Sequence, residues 1–514
     1  MHSNEKTKIL ITDSLSQDGI DILEKEGFSV KMDPSLDGEA LGEEIKGYDG
    51  LIIRSATNVT IDIIEKADKL KIIGRAGVGV DNVDVTAATR KGILVMNTPG
   101  GNTISACEHT WALILSVLRN VPPAHQALRE GRWDKKKYKG TELFGKTLGV
   151  IGLGKIGAEV AKRAIGFGME VIVYDPFTSE EKAREVKAEI VSFDDLLKTA
   201  DIITIHVPKN DKTKNMINAE TLAKMKKSAF LINCARGGIV DEEALAEAIN
   251  NGTIKGAGVD VYETEPTTES PIFKANGIIH TPHLGAATVE AQERVAIEIC
   301  KQVIGYLKDE KIINAVNIVS MDIDPAIEEL AQKLGIFCGK LSENLTEKVI
   351  ISYKDTIENE EALTRTVLKG YLSQFNEGVN FVNVFVLAAE KGIELIRQRR
   401  AGKDLIGEIE MTLGKDLVVS GSIIGGSARL TGINGYILDI PLSGNMLIIK
   451  NHDRPGVIGH IGTILGENEV NIGYMEVGRK SAGGPAFTVI GVDGEVTSQV
   501  IDSLKSREDI EYVN

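Results

Sequence analysis

No run of apolar residues in this chain approaches the roughly 18 needed to cross a bilayer as a helix. The polar start Met1-His-Ser-Asn-Glu-Lys also lacks the apolar core of a secretory signal. Together these absences set a cytoplasmic location, away from membranes, as the expectation. Cysteine is scarce: Cys107, Cys234, Cys300 and Cys338 are scattered without Cys-x-x-Cys spacing, which argues against a disulfide frame and against a zinc site. They read as reduced packing residues, and no metal is expected. Positive charge is in deficit, with 59 Lys and Arg against 74 Asp and Glu for a formal net charge of −15. The chain therefore has no electrostatic footprint for DNA or RNA, although a local basic pocket can still hold a small anion. Nor is there a fixed-period repeat or a low-complexity segment. What remains is an ordinary globular composition, 42% hydrophobic and 26% charged over 514 residues, long enough for three or four domains of about 150 residues each.

Six short apolar strand candidates between Leu148 and His283 each deliver a polar or glycine-rich group at the C-terminal end, the edge where open parallel sheets bind ligands. The first runs into Gly152-Leu-Gly154-Lys155-Ile156-Gly157 and then a helical pattern. Gly152 permits a tight turn, Gly154 lets backbone N–H groups approach a pyrophosphate, and Gly157 allows close helix packing at a positive helix N-terminus. The next strand ends in Asp175, placed to accept hydrogen bonds from a ribose diol and to disfavour a 2′-phosphate, so NAD rather than NADP is expected. Glycines at this spacing alone are often just a turn; here strand, glycines, helix and acid occur together.

Three further strand ends carry reactive groups. Ala229-Phe-Leu-Ile-Asn-Cys-Ala-Arg places Arg236 past a buried strand, where a guanidinium can grip a carboxylate and polarise an adjacent carbonyl. Gly256-Ala-Gly-Val-Asp-Val-Tyr leads to Glu265, and Ile278-Ile-His-Thr-Pro leads to His283. Hydride exchange at a carbonyl needs a proton donor and acceptor that titrates near neutrality, which imidazole does, and a neighbouring Glu265 carboxylate would orient it. Taken singly, Arg236 also fits a surface salt bridge, Glu265 a helix cap and His283 a core histidine; three in succession on one sheet edge favour a catalytic set.

At these residues the chain resembles the D-isomer-specific 2-hydroxyacid dehydrogenases. The match rests on Val150-Ile-Gly-Leu-Gly-Lys-Ile-Gly, Leu231-Ile-Asn-Cys-Ala-Arg-Gly-Gly-Ile-Val-Asp-Glu, Asp260-Val-Tyr-Glu-Thr-Glu-Pro and Thr281-Pro-His-Leu-Gly-Ala. The resemblance implies that Arg236 binds substrate, that Glu265 supports His283 and that His283 is the acid/base. It also implies NAD contacts at Lys155, Ile156, Asp175, Val207, Cys234, Ala235, Arg236, Asp260, His283, Leu284, Gly285 and Ala286. Together with residues 6–98 it covers more than half of the chain. Arg54-Ser-Ala-Thr and Gly74-Arg75-Ala-Gly-Val-Gly-Val-Asp-Asn resemble the phosphoglycerate-oxidising branch, in which such arginines and Asn102 meet the substrate's carboxylate and phosphate; exposed solubilising charge is the alternative for Arg54 and Arg75. In some relatives a basic residue after the Trp133 position reaches a partner's active site. Lys135-Lys-Lys137 stands in that region with its counterpart open.

The C-terminal extension points the same way. Asn451-His-Asp-Arg-Pro-Gly-Val-Ile-Gly and Asn471-Ile resemble an ACT domain, a module that binds serine between paired subunits, with Asn451, Asp453 and Asn471 at the matching positions. The same Asp-Arg-Pro-Gly also reads as a plain helix-start turn. The stretch before it resembles the intervening domain of the long form of these enzymes; its Arg397, Arg399, Arg400, Lys403 and Arg429 fit either a second anion site or a solvated basic helix face.

These readings imply an α/β fold: a Rossmann-type NAD domain and a flavodoxin-like substrate domain, then an α+β intervening domain and a ferredoxin-like ACT domain. The expected division is 1–98 with 288–318 for substrate, 99–287 for NAD, 319–443 for the intervening domain and 444–514 for ACT. The implied reaction is NAD-dependent oxidation of 3-phosphoglycerate to 3-phosphohydroxypyruvate, the first step of the phosphorylated route to L-serine, with serine as effector. A reductase for hydroxypyruvate or glyoxylate shares the core motifs, and a non-catalytic NAD-sensing regulator shares the scaffold. The apolar helix candidate from Thr103 to Leu118 serves equally as dimer surface or core, and paired ACT modules would extend a dimer to a homotetramer.

Overall fold

The computed structural model describes residues 6–354, 357–400, 407–415 and 417–514, and within them the chain builds four sheets in succession. The first contains β1 (Lys8–Ile11), β2 (Ser29–Met32), β3 (Gly50–Ile53), β4 (Ile72–Arg75) and β5 (Leu94–Met96). All are parallel, in the order β2-β1-β3-β4-β5. Their cores are continuous aliphatic runs because both faces are covered by helices; Ile9, Leu10, Ile11, Leu51, Ile52 and Ile53 are all buried. The edge strand β2 has no counterpart among the sequence expectations, since Ser29-Val-Lys-Met is only four residues long and stays largely exposed. The long helix Val289–Asp309 returns to this sheet, packing Val295, Ile299, Cys300 and Val303 against Ile9, Ile11, Ile52 and Ile72. Gly74 makes the approach possible: a Cβ there would lie 2.9 Å from Ile299.

The second sheet holds β6 (Thr147–Ile151), β7 (Glu170–Tyr174), β8 (Glu189–Ile190), β9 (Ile202–Ile205), β10 (Phe230–Asn233), β11 (Gly256–Val259) and β12 (Ile278–His280). Again all are parallel, in the order β12-β11-β10-β9-β6-β7-β8. The order reverses direction at β6 and β9, so the crevice for a ligand opens beyond the C-terminal ends of those strands. Helix Thr103–Arg119 lies against this sheet and the fingerprint helix, with Cys107, Trp111, Ile114 and Leu118 buried in their core.

The third sheet joins β13 (Lys348–Lys354), β14 (Glu394–Arg400), β15 (Ile409–Leu413), β16 (Leu417–Ile424), β17 (Ser427–Ile433) and β18 (Tyr436–Pro441), in the order β14-β13-β15-β16-β17-β18. The sequence indicated one helix here, near Glu361 to Tyr371, whereas the structure has three: Pro325–Leu341, Glu360–Leu372 and Val384–Glu390. Two glycines, Gly335 and Gly339, lie within the first of these helices. They serve close packing: a Cβ on Gly335 would sit 2.1 Å from the Val367 carbonyl and one on Gly370 2.5 Å from that of Gln332. The basic cluster is also corrected. Arg397 to Arg400 lie on edge strand β14, not on a helix, Arg399 pairs with Glu360, Arg400 with Glu410 and Arg429 with Asp439; Lys403 falls outside the described residues.

The fourth sheet is antiparallel, formed by β19 (Asn445–His452), β20 (Asn471–Arg479), β21 (Pro485–Asp493) and β22 (Ile510–Val513) in the order β20-β21-β19-β22. Helices Val457–Glu467 and Ser498–Lys505 pack on it through Val457, Ile461, Leu465, Val500 and Leu504. The closing strand β22, not anticipated from sequence, completes a ferredoxin-like β-α-β-β-α-β unit.

Candidate active site

The fingerprint turn is built for close approach. After β6 the chain turns at Gly152 with φ 94°, and a Cβ there would lie 2.7 Å from the His206 carbonyl. Gly157, in the first turn of helix Lys155–Gly166, would place a Cβ 2.1 Å from the Gly152 carbonyl, so the helix start is pressed onto the turn. Gly154 faces open space, the position a pyrophosphate needs. At the end of β7, Asp175 accepts hydrogen bonds from Leu153 N (2.8 Å) and Phe177 N (2.9 Å). These fix the carboxylate beside the turn and leave lone pairs for a diol.

Two cavities meet at the cleft between the first and second sheets. One of about 460 Å³ is lined by Arg54, Arg75, Asp81, Asn102, Arg236, Glu265 and His283. The other, about 390 Å³, is lined by Ile156, His206, Val207, Cys234, Ala235, Asp260 and Gly285. Both touch Asn102, Arg236, His283 and Ala286, so an elongated ligand in one abuts a small ligand in the other. Lys155 and Leu284 line neither; Lys155 begins the fingerprint helix, and Leu284 uses its backbone N–H on Asp260 (2.7 Å).

The acid/base pair is formed. His283 Nδ1 and Glu265 Oε2 lie 2.5 Å apart, and Glu265 Oε1 accepts from Tyr262 N at 2.8 Å. Burial pushes the Glu265 carboxyl up, but the hydrogen bonds from His283 and Tyr262 outweigh it and hold the group below its usual range. An ionised Glu265 fixes the imidazole tautomer, leaving Nε2 as the ring atom available to substrate. His283 has φ 55°, a conformation that costs a non-glycine residue about 1–3 kcal/mol and persists only where neighbours over-determine it. Here its N–H is held by the Asp260 carbonyl at 2.8 Å.

Cations crowd the other wall. Arg236 Nε lies 3.2 Å from Asp81 Oδ2, and its Nη1 donates to the Ala235 carbonyl at 2.7 Å. Burial, then the charges of Arg236 and Arg54, depress Arg75 to about 10, and its Nε is buried without a partner, as is Asn102 Oδ1. The glycines of Gly77-Val-Gly79 make room for this: a Cβ on Gly77 would overlap the Arg75 guanidinium, and one on Gly79 would lie 2.3 Å from Arg236 Nη2. Arg54 completes the arc, donating from Nη1 to the Ser14 carbonyl at 3.1 Å.

Several participants gave no sequence signal. Asp81 sits inside the Gly79-Val-Asp motif but was read only as part of the motif. His206, half-buried beside the fingerprint turn and bonded to Thr204 at 2.9 Å, is pushed down to about 4 by desolvation and is neutral. His109 reaches Asp260 and Thr281 from a helix 151 positions away in sequence from the first, a pairing no local pattern reveals. His109, Cys234 and Asp260 have ligand atoms within 4.8 Å of one another. Burial, then Asp260, raises the Cys234 thiol, and Asp260 Oδ1 already accepts from His109, Thr281 and Leu284.

The three ACT candidates do not converge within one chain. Asn451 pairs opposite Ala486 on β21 and Asn471 opposite Asp493, seven positions apart and so about 23 Å at strand rise. Asn451 is buried, accepting from Thr488 Oγ1 at 2.8 Å; Asp453 is held by Arg479 at 2.7 Å, and Asn471 donates to Asp493 at 2.7 Å.

Comparison with known proteins agrees with this geometry. Residues 111–285 match the D-isomer specific 2-hydroxyacid dehydrogenase NAD binding domain, 323–433 the D-3-phosphoglycerate dehydrogenase intervening domain and 445–509 the ACT domain. D-3-phosphoglycerate dehydrogenase of Bacillus subtilis is 39% identical over 517 residues, covering 98% of both chains. That of Methanocaldococcus jannaschii is 41% identical over 519 residues, covering 98% of this chain and 99% of the other. Among solved structures, D-lactate dehydrogenase from Aquifex aeolicus complexed with NAD and lactic acid is 30% identical with a TM-score of 0.55, covering 61% of this chain and 100% of the other. The chain therefore belongs to the D-3-phosphoglycerate dehydrogenase family, the branch of NAD-binding D-isomer specific 2-hydroxyacid dehydrogenases that carries intervening and ACT domains.

Proposed function

We propose that this protein oxidises 3-phospho-D-glycerate to 3-phosphohydroxypyruvate with NAD, the first step of the phosphorylated route to L-serine. The observation that carries the substrate is the arc of Arg54, Arg75 and Arg236, with Asn102, on one wall of the cavity that also holds His283 and Glu265. A carboxylate and a phosphate together bring about three negative charges at neutral pH; a simple 2-hydroxy acid needs only one anchor. NAD, held by the fingerprint turn and Asp175, would supply the hydride acceptor for substrate C2. His283 Nε2 takes the hydroxyl proton as the C2–O bond becomes a carbonyl, and the Glu265 carboxylate stabilises the resulting imidazolium. Arg236 holds the carboxylate beside the reacting carbon, while Arg54 and Arg75 engage the phosphate. Gly154, in the turn that Gly152 and Gly157 shape, would receive the pyrophosphate, Asp175 the adenosine ribose, and Val207, Cys234, Ala235 and Asp260 the remainder of NAD.

The domain division that goes with this reading is 1–98 with 288–318, 99–287, 319–443 and 444–514. Serine binds between ACT domains of two chains, where Asn451 and Asp453 of one copy approach Asn471 of the other; the separation of these residues within one chain supports an intersubunit site. The exposed apolar side chains of Leu115, Phe144 and Phe167 support a dimer contact, and the second, ACT-mediated contact makes a tetramer. Work in the cytoplasm fits the lack, among the described residues, of any helix long and apolar enough to span a membrane.

Initial rates of NAD reduction by 3-phosphoglycerate, 2-hydroxyglutarate, D-lactate and glycerate, with and without serine, test the reading. Preference for the phosphorylated acid, suppressed by serine, is expected. Preference for an unphosphorylated acid would discard the roles of Arg54 and Arg75.

A further inference from the structure

We propose that His109 is a positioning residue for the catalytic loop: it clamps the Asp260 carboxylate to helix Thr103–Arg119 and thereby fixes the backbone on which His283 stands. The inference rests on the proposed dehydrogenase reading but not on the identity of the 2-hydroxy acid. His109 Nε2 lies 3.1 Å from Asp260 Oδ1 and 3.0 Å from Thr281 Oγ1. The remaining donors to Asp260 all come from the loop itself: Thr281 Oγ1 at 2.6 Å, Leu284 N at 2.7 Å and Gly285 N at 2.9 Å. Asp260 in turn holds His283 N through its own carbonyl at 2.8 Å. His109 is thus the one side-chain donor on this carboxylate from outside the loop, among the described residues.

Burial makes the contact consequential. The Asp260 side chain is 1% exposed, and a buried carboxylate stripped of a donor leaves an oxygen unsatisfied. One turn earlier on the same helix face, Ser105 Oγ donates to the Gly285 carbonyl at 2.9 Å. Helix 103–119 therefore grips the loop at two points, on the carboxylate that organises its N–H groups and on the backbone carbonyl of Gly285. Between them stands His283, in a left-handed conformation that residues other than glycine adopt only uncommonly. Loosening the grip releases that conformation, and the ring loses its alignment between Glu265 and substrate. Substrate anchoring by the arginines is untouched, because Arg54, Arg75 and Arg236 make none of these contacts.

The test compares His109→Phe, which keeps a ring and removes the donor, with His109→Gln, whose amide reaches about as far as Nε2, and with Ser105→Ala. Each is assayed as the full chain on whichever 2-hydroxy acid the wild type turns over fastest, with sites counted by NADH fluorescence titration. His109→Phe is expected to lower kcat per NADH-binding site about tenfold or more, with KM for the acid within about twofold, and His109→Gln to recover most of the loss; Ser105→Ala falls between. A role confined to packing would lower the thermal midpoint and the number of sites while leaving kcat per site unchanged, and that result overturns the proposal. So does a His109→Gln variant as slow as His109→Phe. A wild type that prefers an unphosphorylated acid would instead count against the substrate reading and leave this comparison intact.

Discussion

Replacing Arg75 by Met should make the empty protein more stable and the enzyme worse at its proposed substrate. The Arg75 guanidinium stands under the influence of Arg236 and Arg54, with a buried, unpartnered Nε. Burial, then those like charges, lower it from 12.5 to about 10, which at 1.36 kcal/mol per unit is a folding cost of about 3 kcal/mol for the charged form. A base depressed on folding destabilises the fold at all pH values below its folded value and ceases to do so as pH rises above it, so at neutral pH the whole cost is present. Arg75→Met removes it, and a gain of about 1–3 kcal/mol, a few degrees in melting midpoint, is expected by thermal unfolding in an anion-free buffer. Inorganic phosphate should raise the wild-type midpoint and barely move that of the variant, since the anion supplies the missing countercharge. In turnover, losing a charge-paired contact of about 2–5 kcal/mol raises KM for 3-phosphoglycerate by about thirtyfold or more, while KM for D-lactate stays within about threefold. Unchanged or reduced stability without anions, or an equal loss on both acids, would falsify the view of Arg75 as a strained cation reserved for phosphate.

Further predictions concern the neighbours of that site. His283→Gln should lose turnover while NADH affinity, read by fluorescence titration, stays near wild type; an active variant would remove His283 from its role. Glu265→Gln should slow turnover by about tenfold to a thousandfold with near-normal KM, and since burial is outweighed by hydrogen bonds that keep this carboxyl below its ordinary 4.5, the wild-type stability it contributes should vanish only as pH falls beneath that value; equal acid-unfolding curves for the two proteins would refute this. Asp81→Asn frees Arg236 Nε, so sulfate should become a several-fold stronger competitive inhibitor, whereas weaker inhibition would mean that Asp81 orients the guanidinium. Gly157→Ala drives a Cβ into the Gly152 carbonyl and should abolish NAD binding with little change in melting midpoint of the other domains; retained affinity would show that the turn can yield.

Local pattern was enough for whatever depends on a few consecutive residues. The β6 fingerprint, the acid closing β7 and the chemistry at the ends of β10, β11 and β12 were all legible, because short continuous apolar runs and turn glycines report on the backbone that bears them. Where one element's residues answer to another's, local rules misled. The helices Pro325–Leu341 and Val384–Glu390 gave no distinct signal of their own, the arginines of β14 looked like a helix face although acids on neighbouring elements neutralise them, and β2 was too short and exposed to announce itself.

The sequence by itself determined which groups the protein possesses: a dinucleotide turn, an imidazole, a carboxylate and several guanidiniums, each at the end of a strand. Only the tertiary structure decided how they act on one another. Long-range folding sets Asp81 against Arg236, three like charges around one cavity, and His109 against an aspartate at the far end of the NAD-binding sheet. The physical reason is that backbone preferences act over a turn or two of chain, whereas ion pairing, desolvation and the holding of a strained loop depend on distances of a few ångströms between residues that only the packed fold brings together.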